Sequence, residues 1–364
     1  TGALWFLSDL VTAYIRLRPA GLNRPFDVSC EAVDPGADRG RADRGKGPDD
    51  DAAVPAHGLI IDSFAHYFRR RRHLEPAASE SAFSRATAPP LAGDDDDVRS
   101  PPSRTREIGW VRRQSSKRVY RVGGTRTPDN RTRAVELTMQ AKGVLALARA
   151  EGVALTMYLT ALSFESIRKS SGNLGKNATL AASVPVNLRQ FFPSTSPRNF
   201  FATIRVEHTY GEGADDLGAI CRRLDSQFRP KATPEALEKK LQKLVRFERM
   251  PLLRIVPRPL KDVILRLVNW GSNRGLSIAV SNLGPVTLPE SAEAHVRRLL
   301  FHVSAVRPQL CAISHAGLLT VTFTSPFTET DHIKEFARLL TANGVDVTVA
   351  AARVTEAELA TRES

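Results

Sequence analysis

Apolar residues recur at helical spacing at the start of the chain. Leu4, Leu7, Val11, Tyr14 and Ile15 predict one amphipathic helix, with Arg16 and Arg18 in its last turn and Pro19 ending it. Residues 31–56 and 75–107 have no such periodicity and are dense in Asp, Arg, Gly, Pro and Ser, so they read as disordered loops. Between them the apolar patch Leu59 to Phe64 predicts a short helix leading to Arg69–Arg72. From about residue 117 the pattern is firmer. Val119 to Val122 alternates like a strand, and Val135 with Leu137 predicts another. A helix over 139–151 is closed by Gly152, and a second starts at Thr156 and carries Met157, Leu159, Leu162 and Ile167. Leu180–Val186 and Phe200–Val206 read as strands, and three helices follow, marked by Leu217 to Phe228, Leu237 to Val245 and Leu260 to Val268.

The last hundred residues read mainly as strands. Leu276–Leu283 is apolar and bounded by turns. Cys311–His315 and Leu319–Thr324 flank Ala316-Gly317 as a hairpin with threonine at alternate positions. Thr328-Glu-Thr-Asp331 has the form of a capping box before a helix carrying Ile333, Phe336, Leu339 and Leu340. Gly344 ends that helix, and Val345–Val349 is a final strand. Strands and helices mixed without a strict βαβ repeat predict an α+β fold.

Composition narrows the function only a little. Three cysteines, Cys30, Cys221 and Cys311, stand far apart and form no C-x-x-C pair, so a reducing, cytoplasmic setting is expected. No apolar run approaches the roughly 18 to 20 residues of a transmembrane helix. The eight histidines form no metal-binding pair, and no metal is expected. The net charge of +13 lies largely in Arg69–Arg72 and between Arg99 and Arg133, with no zinc-finger, RRM or helix-turn-helix pattern beside it. Gly172-Asn-Leu-Gly175-Lys176 lacks the Walker spacing, no G-x-S-x-G elbow occurs, and His57 with Asp62 is a weak catalytic pair because Ser63 follows it.

Two segments carry more. Ser183-Val-Pro-Val-Asn-Leu-Arg189-Gln-Phe-Phe-Pro193, followed by Arg198-Asn199-Phe200, sets Asn187 and Arg189 at the end of a strand. Such a position either projects a charge into a site or holds a buried Arg that ties two segments through a carboxylate. Val280-Ser-Asn-Leu-Gly-Pro285 is a strand that runs into a Gly-Pro turn. In their joint order these blocks resemble the bacterial alcohol acetyltransferase family, of the superfamily that includes chloramphenicol acetyltransferase and peptide-synthetase condensation domains. The resemblance extends over nearly the whole chain outside the two loops.

The resemblance implies two sheet-and-helix lobes with a tunnel between them, and transfer of an acyl group from acyl-CoA (acetyl-CoA) to an alcohol or amine. It implies a histidine general base in a His-x-x-x-Asp-Gly motif directly before a Thr-Gly helix, which Thr1-Gly2-Ala3-Leu4 matches. No histidine of this chain fits that motif. The base is therefore expected upstream of Thr1, the first lobe incomplete and the chain inactive alone. Residues 1–116 would be a remnant of that lobe and the crossover, 117–352 the second lobe and 353–364 a tail. The resemblance further implies that Arg189 pairs with the motif's aspartate, with Asn187 beside it. Ser281, Asn282 and Gly284 would line the tunnel. Condensation domains carry Asp-Phe-Gly-Trp-Gly there, so the difference favours a stand-alone acyltransferase. Two alternatives stay open: a non-catalytic scaffold of the same fold, and an anion or nucleic-acid binder using Arg99–Arg133.

Overall fold

In a computed structural model, the structure describes residues 10–11, 63–68, 118–127, 132–172, 174, 177–194, 196, 198–248, 258–303 and 306–351. The expectations for residues 31–56, 75–107 and 353–364, for Arg69–Arg72 and for the His57–Asp62 pair lie outside these residues. Of the predicted first helix only residues 10 and 11 are described, and both are helical.

The described strands form one seven-stranded mixed sheet, an α+β arrangement as expected. They are β1 (Arg133–Gln140), β2 (Thr179–Asn187), β3 (Phe201–Thr209), β4 (Ile278–Pro285), β5 (Gln309–His315), β6 (Leu318–Ser325) and β7 (Val347–Ala351), in the order β3-β2-β4-β5-β6-β1-β7. The pairs β2–β4 and β4–β5 are parallel, and the rest are antiparallel. The helices are α1 (Ser63–Phe68), α2 (Ala141–Ala150), α3 (Leu155–Ser170), α4 (Leu217–Phe228), α5 (Pro234–Glu248), α6 (Arg258–Arg274), α7 (Glu290–Glu293) and α8 (Asp331–Ala342).

Helix α3 is the centre of the helical layer, packed by α2, α4, α8 and β4. Every residue from Met157 to Ile167 is buried. Its hydroxyls bond back to the preceding turn (Thr160 to the Thr156 carbonyl at 2.6 Å, Ser163 to Leu159 at 2.7 Å), so burial leaves them satisfied. Glu165 accepts from two Arg168 nitrogens, Nη2 at 2.6 Å and Nε at 2.8 Å. On the same layer Phe336 of α8 meets Phe323 of β6 edge-on at 5.0 Å.

Two helix ends follow the sequence closely. Gly152 (φ +69°) and Gly344 (φ +76°) take the left-handed backbone. The next residue then bonds back, Val153 to the Ala148 carbonyl and Val345 to Leu340, in Schellman closures. The predicted capping box does not form. Asp331 is the first residue of α8 and not its third, so Thr328 is not the cap; Thr330 stands there without a side-chain capping bond, and Glu329 takes the Thr125 N–H at 2.9 Å. Val119–Val122 is not a strand either: Val119 makes one parallel bridge to Thr179, and the chain then leaves the sheet.

The opposite sheet face is polar. The register sets Ser281 level with Cys311, Cys311 with Thr322, and Glu136 with Thr322, so Thr320 and Thr324 share that face. It is buried as well, because the irregular segment after β4 crosses it. Thr324 donates to the Val303 carbonyl at 2.9 Å, and Arg298 reaches Thr138 at 3.1 Å. The β3 edge is capped by side chains: Lys240 donates to the Thr203 carbonyl, Lys231 to Arg205 at 3.2 Å, and Gln227 brackets both groups of Glu207. Among the described residues no single helix is long and apolar enough to cross a membrane.

Candidate functional site

Parallel strands β2 and β4 end on the same side of the sheet, and each carries one of the two sequence blocks there. Asn187 is the last residue of β2. Its Oδ1 accepts the Arg189 N–H at 3.1 Å, which starts the 3-10 turn Leu188–Gln190. The Arg189 guanidinium turns back over that loop. Its Nη2 donates to the carbonyls of Ser196 at 2.5 Å and Arg198 at 2.6 Å, and its carbon lies 5.9 Å from the Phe200 ring centroid. Burial pushes the Arg189 pKa down. Arg189 thus ties the end of β2 to the segment entering β3 through backbone carbonyls, while Asn199 stays exposed.

Helix α1 is mounted on this loop. Phe64 meets Phe200 edge-on at 4.9 Å, Phe68 meets Phe192 at 5.1 Å, and Tyr67 donates to the Pro193 carbonyl. Ser63 and Ser194 share a hydroxyl bond of 2.5 Å. The short helix foreseen after Leu59 therefore docks on the Arg189 block, a contact over more than a hundred residues that no local pattern shows.

On β4, Ser281 is buried on the polar face. Asn282 points the other way, and its Nδ2 donates to Thr156 Oγ1 of α3 at 3.1 Å. Its Oδ1 accepts the Gly284 N–H at 2.9 Å. Gly284 has φ +76°, and the β4–β5 register slips between Asn282 and Pro285. A bulge with a left-handed glycine turns the strand end away from its neighbour. Asn282 thereby fixes the bend to the buried helix. Both its polar ends are engaged, so it positions the strand end.

Sequence reasoning missed His315, at the end of β5. Its ring is buried, with Nδ1 2.9 Å from the Val286 carbonyl and Nε2 2.9 Å from the Val296 carbonyl. It staples the segment after Pro285 to the β5–β6 hairpin, and neither nitrogen faces an open site. A second missed group lies at the other sheet end, where His208 Nε2 meets Asp215 Oδ1 at 2.9 Å and Tyr210 stands edge-on at 4.8 Å. Burial holds the His208 pKa below its ordinary value, against the pull of Asp215. A histidine with an acidic residue seven positions on was the available signal. Cys221 and Cys311 are buried, with thiols pushed up to about 12 by burial, so neither is an activated nucleophile. Among the described residues no cluster of three or more His, Cys, Asp or Glu can hold a metal ion.

No protein-family model matches the chain, and no curated protein sequence matches it. Among solved structures it is similar to TRI101 of F. sporotrichioides complexed with coenzyme A and T-2, at 15% identity and a TM-score of 0.44 over 68% of this chain and 56% of that one. It is also similar to the epimerization domain from the third module of tyrocidine synthetase B, at 11% identity and a TM-score of 0.42, with 63% and 51% covered. TRI3 trichothecene 15-O-acetyltransferase from Fusarium sporotrichioides gives 11% and 0.42, with 63% and 49% covered. The chain spans about half the length of these solved chains. At such identities and scores the likeness says nothing about activity.

Proposed function

We propose that this chain is part of a CoA-dependent acyltransferase of the alcohol acetyltransferase type, which moves an acyl group from acyl-CoA to an alcohol or amine. The observation that carries the reading is the meeting of the two blocks. Asn187 with Arg189, and Ser281 with Asn282 and Gly284, lie 90 residues and more apart in sequence yet end neighbouring parallel strands on one side of the sheet. Strand ends of this kind are where open sheets place ligands. Arg189 and Asn282 act as positioning residues in this reading, and the Ser281 hydroxyl and Gly284 line the acyl path. His208, His315 and His332 are buried, two of them tied by hydrogen bonds, so none is assigned as the general base. The buried, separate thiols of Cys221 and Cys311 suit a cytoplasmic setting.

The test is titration calorimetry of this chain with acetyl-CoA, followed by a thiol-release assay with a simple alcohol in which the histidine motif expected from the resemblance is supplied together with the chain. Binding with alcohol-dependent release of CoA supports the reading. Binding without release points to a scaffold of the same fold that holds the thioester. Absence of both binding and release overturns the proposal.

A further inference from the structure

Helix α6 presents an apolar stripe to solvent. Leu260, Val263, Leu267 and Trp270 are 52%, 50%, 61% and 56% exposed. They are three, four and three residues apart, which puts them along one line of the helix. Exposed Arg266 flanks the line, and Arg274 continues it with its guanidinium carbon 3.8 Å from the Trp270 ring centroid. The helix is fixed at its C-terminal end, where Arg307 donates to Asn273 Oδ1. Val306, next to Arg307, is 64% exposed.

An apolar stripe on a helix of a folded domain ordinarily faces the core. This one faces away, and its charge decides what it fits. Between Arg258 and Arg274 there are four basic residues and one acidic residue. Two copies paired along this stripe would bring like charges together, which opposes self-association. An anionic bilayer surface satisfies both features. Leucine and valine enter the boundary of headgroups and chains, tryptophan sits at the interface, and arginine is drawn to the negative lipid. The net charge of +13 acts in the same direction.

We propose that α6 is an interfacial helix that seats this protein on an anionic lipid surface. The attachment is peripheral and independent of the acyl-transfer reading. It is tested by co-sedimenting the chain with vesicles of phosphatidylcholine alone and of phosphatidylcholine with phosphatidylserine, with light scattering of the lipid-free protein alongside. Binding to the phosphatidylserine vesicles is expected, with at least about tenfold less to neutral ones and a marked loss in high salt. Leu267→Asp and, separately, Trp270→Ser should each lower binding about tenfold or more, the factor that burial of one large apolar side chain provides. Their melting temperatures should stay at the parent value. Absence of binding to anionic vesicles, or equal binding by parent and both variants, overturns the proposal. So does lipid-free self-association that either variant abolishes, because the stripe would then belong to a second copy.

Discussion

Helices α3 and α6 are nearly the same length, 16 and 17 residues, and both show apolar residues at helical spacing, yet they stand in opposite surroundings. In α3 eleven consecutive residues are buried, including Thr160, Ser163, Glu165 and Ser166, each with a partner. In α6 the apolar line is the part that meets water. Spacing shows that a helix has an apolar side; it does not show what that side touches. The partner has to be supplied by the fold, as the sheet, α4 and α8 do for α3, or by something outside the chain.

The difference can be broken most directly in the core of α3. Phe164 is fully buried, and Phe164→Ala removes its packing and leaves a cavity. A loss of about 3–5 kcal/mol is expected from chemical denaturation. A loss below about 1 kcal/mol would mean that α3 is no better packed than an exposed helix.

The cover over α3 supplies the next effect. His332 in α8 is buried beside Phe323, and desolvation lowers its pKa from 6.5 to about 4, with Asp331 pulling the other way. The unfolded chain therefore takes up the proton first as pH falls. Stability contributed by the neutral ring is complete above 6.5, is lost between 6.5 and about 4, and stays lost below that. The full loss is about 3 kcal/mol. His208 shifts in the same direction and adds to the slope. Denaturant midpoints measured from pH 7 to pH 4 should fall for the parent chain and fall less for His332→Gln. An unchanged slope in that variant would remove His332 from the account.

A smaller effect tests how α3 governs the candidate site. Asn282→Ala deletes the bonds to Thr156 Oγ1 and to the Gly284 N–H and should cost about 1–2 kcal/mol. Thr156→Val removes the same contact from the helix side. In a double-mutant cycle the two should couple by about 1 kcal/mol. Strict additivity would show that the bend at Gly284 holds without α3.

These residues also show what the sequence could and could not reveal. Gly152 and Gly344 were readable because a left-handed closure needs glycine whatever the fold around it. The β5–β6 hairpin was readable because its two strands and the Ala316-Gly317 turn are contiguous. Asn282 was marked as part of a block, but its bond to Thr156 spans 126 residues, and local spacing carries no trace of it. The same distance problem hid the docking of α1 and the strand order; Arg189's partners lie only seven and nine residues on, but they are backbone carbonyls, which no residue type marks in the sequence. The expected capping box failed because the helix starts at Asp331, which is then its first residue and not its third, while Thr328 and Glu329 both bond to the backbone of Thr125, more than 200 residues away. Threonine at alternate positions in β6 read as one polar face, and only the path of residues 286–303 shows that this face is covered.

The smallest stability effect belongs to α6, and there a null result is the informative one. Leu260 and Leu267 lie two turns apart on the exposed line. Truncation to alanine removes area that is already half in water, leaves no cavity, and keeps helix propensity at its maximum. Leu260→Ala and Leu267→Ala should each shift lipid-free stability by less than about 0.5 kcal/mol and add independently in the double variant. A combined loss of about 2 kcal/mol or more would require the stripe to be covered in solution, which would make α6 a second α3. A double variant that melts with the parent but loses the phosphatidylserine vesicles separates the two helices by function: one holds the fold, and the other leaves its apolar side free for a surface the chain does not contain.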